Sequence, residues 1–229
     1  MKNISVIIKK QVKDTFKNKT ILIQFVMFPV MSLIMENAVK MEDMPESFFV
    51  KLFAVMYIGM APLVSTASII SEEKETNTLR VLTMANVKPW EYLAGVGVYV
   101  WTICMLGAAV MSSLIPDGER LFFCGVMAAG FVISTVLGAC IGIVSGTQMK
   151  ATSLTMPCMM ILSFSPMLSM FNDTIRKIST PVFTWQIKRM LDDPGVGNIT
   201  GRSVLVILVT LILFVCLFIP AYRIKELDK

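Results

Sequence analysis

The sequence predicts an all-α, polytopic membrane protein. It has six transmembrane helices, an N-terminal interfacial amphipathic helix, and a short outer re-entrant helix before the last span. Three observations carry that fold class. The 229-residue chain is 55% apolar and only 16% charged, whereas a soluble domain usually carries about 25% charged residues to wet its surface. Mean hydropathy is +0.71. Six windows are long and apolar enough to cross about 30 Å of hydrocarbon, and none alternates polar and apolar residues as an outer-membrane strand would.

The spans read as 20–35, 52–70, 92–114, 121–145, 154–171 and 203–222, within a single transmembrane domain covering 1–229. The first is short and contains Pro29, with Lys17 and Lys19 placed to snorkel at its start. Residues 1–19 hold six lysines against one acid, Asp14, and no apolar core of a secretory signal. Ile4, Ile8, Val12 and Phe16 recur every fourth residue, so this segment reads as an amphipathic helix lying on anionic lipid. Placing both termini in the cytoplasm puts 13 of the 21 Lys and Arg on the inner side, as the positive-inside rule prefers.

Several chemistries are excluded by residue type. There is no histidine, which removes the commonest general base and metal ligand. The five cysteines, Cys104, Cys124, Cys140, Cys158 and Cys216, lie in apolar runs without metal or disulfide spacing. No acid or base sits in mid-span, so a proton relay has no candidate residues. There is no GxxxxGK[ST] phosphate loop. The composition also offers nothing to nucleic acid.

The segment 71–91 lies inside by this topology. Ser71 is placed to cap a helix whose first turn carries Glu72, Glu73 and Glu75, with Leu79, Leu82 and Met84 forming an apolar face. Pro89 opens the next helix, with Trp90 and Tyr92 at headgroup level. The run from Glu73 to Leu82, followed by Val87-Lys-Pro-Trp-Glu-Tyr92, resembles the corresponding loop of ABC-2 type transporter permeases, the membrane subunits of small bacterial ABC exporters. Glu73, Lys74, Glu75, Thr78, Leu79 and Leu82 match that pattern, while Asn77 stands where glycine is usual, Arg80 where an acid is common, and Val96 where a lysine is common.

The resemblance implies a coupling helix formed by Glu72, Glu73, Lys74, Glu75, Thr78, Leu79 and Leu82, docked on a separate nucleotide-binding subunit. Such a segment transmits force rather than holding the fold. Thr147 and Lys150 would supply a second contact. It further implies two copies of that ATPase, a second permease copy in a homo- or heterodimer, and a cell membrane of bacterial type. ATP and Mg would be bound by the partner subunit and no cofactor by this chain, which is a permease and not itself an enzyme.

Two further patterns each have two readings. Gly130, Ser134, Gly138, Gly142 and Gly146 repeat every fourth residue, fitting close helix packing either within one subunit or between two. Met27, Met31, Met56, Met60, Met156 and Met160, among 19 methionines, fill a core or line an adaptable route for greasy substrates. Pro157 and Pro166 are expected to bend or interrupt the fifth span. In 172–202, Thr180-Pro181 reads as a helix start and Asp192-Asp-Pro-Gly as its end, giving a short helix that dips into the outer leaflet or serves as a structural lid. The functional expectation is ATP-driven outward movement of an amphipathic or hydrophobic substrate such as a peptide, antimicrobial or drug-like molecule. The alternative is a non-transporting immunity or sensor protein that binds a partner.

Overall fold

The computed structural model describes residues 2–39, 45–84, 87–195 and 200–227. Every regular element among them is a helix: α1 (Lys2–Lys17), α2 (Lys19–Ala38), α3 (Phe48–Glu75), α4 (Thr78–Met84), α5 (Pro89–Ser112), α6 (Arg120–Val144), α7 (Gln148–Leu168), α8 (Asp173–Ser179), α9 (Phe183–Asp192) and α10 (Gly201–Leu227). Six of them, α2, α3, α5, α6, α7 and α10, are long and apolar enough to cross a membrane.

Helix α3 is the axis of the bundle. It packs against α2, α5, α6, α7 and α9, and Tyr57, Ile58 and Leu63 along it are wholly buried. The tightest approach is to α6, where small residues remove the side-chain layer between two backbones. A Cβ at Gly138 would stand 2.4 Å from the Leu63 carbonyl oxygen, and one at Gly142 would stand 2.8 Å from Ile70 Cβ. Gly130 faces Ile58 of the same helix and Ile187 of α9, and Ser134 is fully buried between them in sequence. The small-residue stripe therefore packs inside this chain. Gly146 lies outside it, past the end of α6, exposed and with nothing near its missing Cβ.

Prolines interrupt hydrogen bonding without ending the helices. A proline inside a helix leaves the carbonyl four residues earlier without its donor, and in hydrocarbon that group needs another. Pro29 frees the Phe25 carbonyl, to which the Tyr57 hydroxyl donates at 3.1 Å. Pro166 frees the Leu162 carbonyl, to which Thr184 Oγ1 donates at 2.6 Å. Helix α7 accordingly continues through both Pro157 and Pro166, and the expected interruption of the fifth span does not occur. The replacement donors come from α3 and α9, distant in sequence, so the proline positions alone could not reveal them.

Three other expectations change. Ser71 does not start a helix: α3 runs on to Glu75, and Ser71 is a buried residue of that helix whose hydroxyl donates to the Ser68 carbonyl. Thr180 closes α8 instead of opening α9, its hydroxyl donating back to the Arg176 carbonyl. Helix α9 begins after Val182 and ends at Asp192, where the acidic pair and proline stop it. The buried face of α1 is Ile7, Gln11 and Thr15, rotated from the expected stripe. Ile4 and Ile8 are half-buried and Val12 is exposed, while the Phe16 side chain lies outside the described residues. The rotation follows from packing on protein: Ile7 fills the space left by Gly95 on α5, and Gln11 reaches α3.

Candidate functional site

Two regions gather the residues singled out by sequence. The first is the end of the bundle where α1, the start of α2, the end of α3, the end of α6 and the start of α7 meet. The last turn of α3 carries four consecutive positions, three of them charged the same way, and each finds a different partner. Glu72 Oε2 accepts from Asn18 Nδ2 at 3.4 Å, at the start of α2. Glu73 is buried and accepts from Gln11 Nε2 at 2.6 Å and from the Lys10 ammonium, both on α1. Lys74 donates to the Ile143 carbonyl at the end of α6. Glu75 Oε2 accepts from the Gln148 backbone N–H at 2.8 Å, at the start of α7.

One helical turn spreads its side chains around the full circle, so a single α3 turn can clasp four neighbouring elements. A buried carboxylate needs such partners, because desolvation without them is costly. The expectation that this acidic stretch leaves the fold alone is therefore corrected for Glu73. It is an internal anchor for α1. Lys10 and Gln11 are the residues that sequence reasoning missed. Their signal is present only in retrospect, as polar residues beside an apolar one on a helix facing a buried acid.

Beyond Glu75 the chain turns at Asn77, which adopts a left-handed φ of 57°. Asparagine tolerates that conformation at little cost and glycine at none, which explains the exchange of one for the other here. The turn launches α4 sideways from α3. Leu79 and Leu82 pack back on the apolar core, so the apolar face expected to be offered outward is turned in. Of the three expected residues only Met84 faces out, 75% exposed, joined by Val81 at 64%, with Trp90 exposed close by in sequence. Thr147 caps α7, its Oγ1 accepting from the Lys150 N–H at 3.3 Å. Lys150 is exposed, and Met149 beside it is 81% exposed.

The second region is a cavity of about 170 Å³ between α2, α3 and α7. Met27, Met60 and Met156 line it, joined by Met159, which sequence reasoning left out. Gln24, Thr152 and Thr155 supply its few polar atoms, and Gln24 Oε1 accepts from Ser65 at 3.2 Å. Met31 and Met160 are exposed and Met56 is half-buried, all three outside this cavity.

A helical bundle with six membrane-length apolar helices, a clasped end and a short lateral helix fits a membrane subunit. The sequence profile described as "ABC-2 family transporter protein" matches residues 1–222. The chain belongs to the ABC-2 transporter family. It is thus a permease subunit of an ABC transporter, a multi-pass membrane protein that is not itself catalytic. Membership implies association with an ABC nucleotide-binding subunit. No curated protein matches the chain.

Proposed function

We propose that this ABC-2 permease exports an amphipathic or hydrophobic substrate, driven by ATP and Mg bound and turned over on two nucleotide-binding subunits, and that two permease copies form the path. The observation that carries the reading is the clasp at the end of α3. A rigid-body movement of an ATPase reaches the membrane only through an element packed against both. Helix α4 offers Val81 and Met84 outward, while its root, Glu72 to Glu75, grips α1, α2, α6 and α7. Displacement of α4 would then be shared by most of the bundle. The α7 start, with Thr147, Lys150 and exposed Met149, is the second contact.

The methionine-lined cavity between α2, α3 and α7 supports a greasy route on the face those helices present, since flexible thioethers repack around varied shapes. With both termini in the cytoplasm, α4 and the α7 start face the ATPase side and α8 and α9 the outer side.

The test is Val81→Asp with Met84→Asp. Both side chains are exposed, so the bundle should stay folded while a docked apolar edge loses its burial. Copurification of the nucleotide-binding subunit and substrate-stimulated ATP hydrolysis by the reconstituted complex should both fall. Unchanged copurification and transport would overturn the assignment of α4 as the coupling element.

A further inference from the structure

We infer that Lys74 and Glu75 are positioning residues that fasten α4 and the start of α7 into one rigid docking unit, so that a single ATPase movement drives α3 and α7 together. This deepens the coupling reading above and rests on it. The two contacts assigned to the nucleotide-binding subunit come from distant segments, yet one hydrogen bond joins them. Glu75 Oε2 accepts from the Gln148 backbone N–H, 73 residues away in sequence, at 2.8 Å. On one side of that bond only Thr76 and Asn77 separate Glu75 from the start of α4. On the other, Gln148 is followed directly by exposed Met149 and Lys150.

Both side chains act on backbone groups at helix ends, so what they fix is position. Glu75 brings an anion to the N-terminus of α7, and Lys74 donates to the Ile143 carbonyl in the last turn of α6. Each charge has the sign that its helix end favours. Two neighbours in sequence therefore hold the 145–147 turn from both sides. Thr147 completes the α7 cap from within, taking the Lys150 N–H. The joint to α4 is confined by backbone bonds. The Thr76 N–H donates to the Glu72 carbonyl at 2.9 Å, the Asn77 N–H to the Lys74 carbonyl at 3.1 Å and the Val81 N–H to the Asn77 carbonyl at 3.3 Å. Deeper in the bundle the same two helices meet again. Ser163 Oγ donates to the Met56 carbonyl at 3.3 Å, and a Cβ at Gly59 would stand 2.5 Å from that oxygen. Helices α3 and α7 are thus tied at two levels. They form two of the walls of the methionine-lined cavity, and a stroke that enters through the docking unit reaches both walls at once.

The test uses the complex of the full chain with its nucleotide-binding subunits, spin-labelled at Thr76→Cys and Ser153→Cys. Both sites are exposed and outside the docking contacts. Cys124, Cys158 and Cys216, the cysteines that are not buried, are changed to alanine. With Glu75 in place, the label-to-label distance should be the same in the nucleotide-free and the ADP–vanadate-trapped complex. In Glu75→Ala it should broaden and shift on trapping, and ATP hydrolysis above the rate of the isolated subunit should fall several-fold. Glu75→Gln keeps an acceptor for the Gln148 N–H and should restore both, a rescue that a general loss of fold would not show. Lys74→Met keeps the stem, removes the donor and should broaden the distance in the same direction. A shift on trapping with Glu75 present, wild-type behaviour of Glu75→Ala, or no recovery in Glu75→Gln would overturn the rigid unit while leaving α4 as a coupling element. Failure of the nucleotide-binding subunit to copurify with the unsubstituted chain would instead overturn the coupling reading, and this inference with it.

Discussion

Helices α6 and α10 are the two most apolar spans of the chain, yet 67% of the α6 span is buried and 6% of the α10 span. Both are dominated by Leu, Ile, Val and Phe, so apolarity does not separate them. Small residues do. Gly130, Ser134, Gly138 and Gly142 let α6 approach α3 at backbone distance, whereas α10 carries large aliphatic side chains around its surface, with Leu205, Leu208, Ile212 and Leu217 each at least half exposed. Lipid is as apolar as leucine, so a membrane helix gains its place in a bundle by close packing, not by hydrophobicity. Hydropathy says that a helix enters the bilayer, and the small-residue period says which helix becomes its core.

The largest expected effect breaks this comparison at its centre. Gly138→Leu would drive a side chain into the Leu63 carbonyl, a backbone atom that cannot step aside. A loss of about 3 kcal/mol or more is expected, read as a collapse of the monodisperse peak and of the thermal midpoint in detergent. Gly142→Leu should cost less, because Ile70 Cβ and not backbone is its nearest neighbour. Wild-type stability in both would mean that α6 and α3 stand further apart than described.

Next comes the polar clasp, which tests whether the bundle end is held as firmly as its middle. Glu73→Ala leaves Gln11 without its acceptor and Lys10 with only Asp14, at 3.5 Å, at about 2 kcal/mol. Limited proteolysis should then cut α1 earlier than in the wild type, while the six spans remain protected. If α1 were released no faster, its attachment would rest on Ile7 and the lipid surface alone.

The proline-linked bonds come third. Tyr57→Phe removes the donor to the carbonyl that Pro29 frees, and Thr184→Val removes the donor to the one that Pro166 frees. About 1 kcal/mol each is expected, seen as a drop of a few degrees in the thermal midpoint, about 2–4 °C for a chain of this size. Neither carbonyl needs a side-chain donor if Pro29→Ala or Pro166→Ala is made first, so each pair should be non-additive.

The smallest effect lies on α10. Leu213→Ala and Ile212→Ala should stay within about 0.5 kcal/mol, because both side chains already face outward. A loss on the scale of a core residue would sharpen the comparison differently. It would show that a second permease copy, not lipid, covers this helix.

The same contrast explains how far the residues could be read unaided. The four-residue spacing from Gly130 to Gly142 pointed to a packing face, but its partner, α3, could not be named from spacing. Met27, Met60 and Met156 stood out as a set, yet only folding brings them into one cavity and adds Met159. At the end of α3, the acidic run and Leu79 with Leu82 looked like an outward docking surface. In the fold Glu73 and both leucines turn inward, and Val81 and Met84 turn out. A seven-residue helix presents two faces of similar apolarity, and the turn at Asn77 decides which one is covered.

Six apolar stretches, the absence of histidine and of a phosphate loop, and the motif from Glu73 to Leu82 are local properties, fixed by composition and order. They were enough to determine the membrane fold class and the permease family. The tertiary structure alone decided where α1 docks, which donors answer the carbonyls freed by Pro29 and Pro166, and which of two equally apolar helices is core. Each of those depends on pairs of residues far apart in the chain, and burial is a property of the pair.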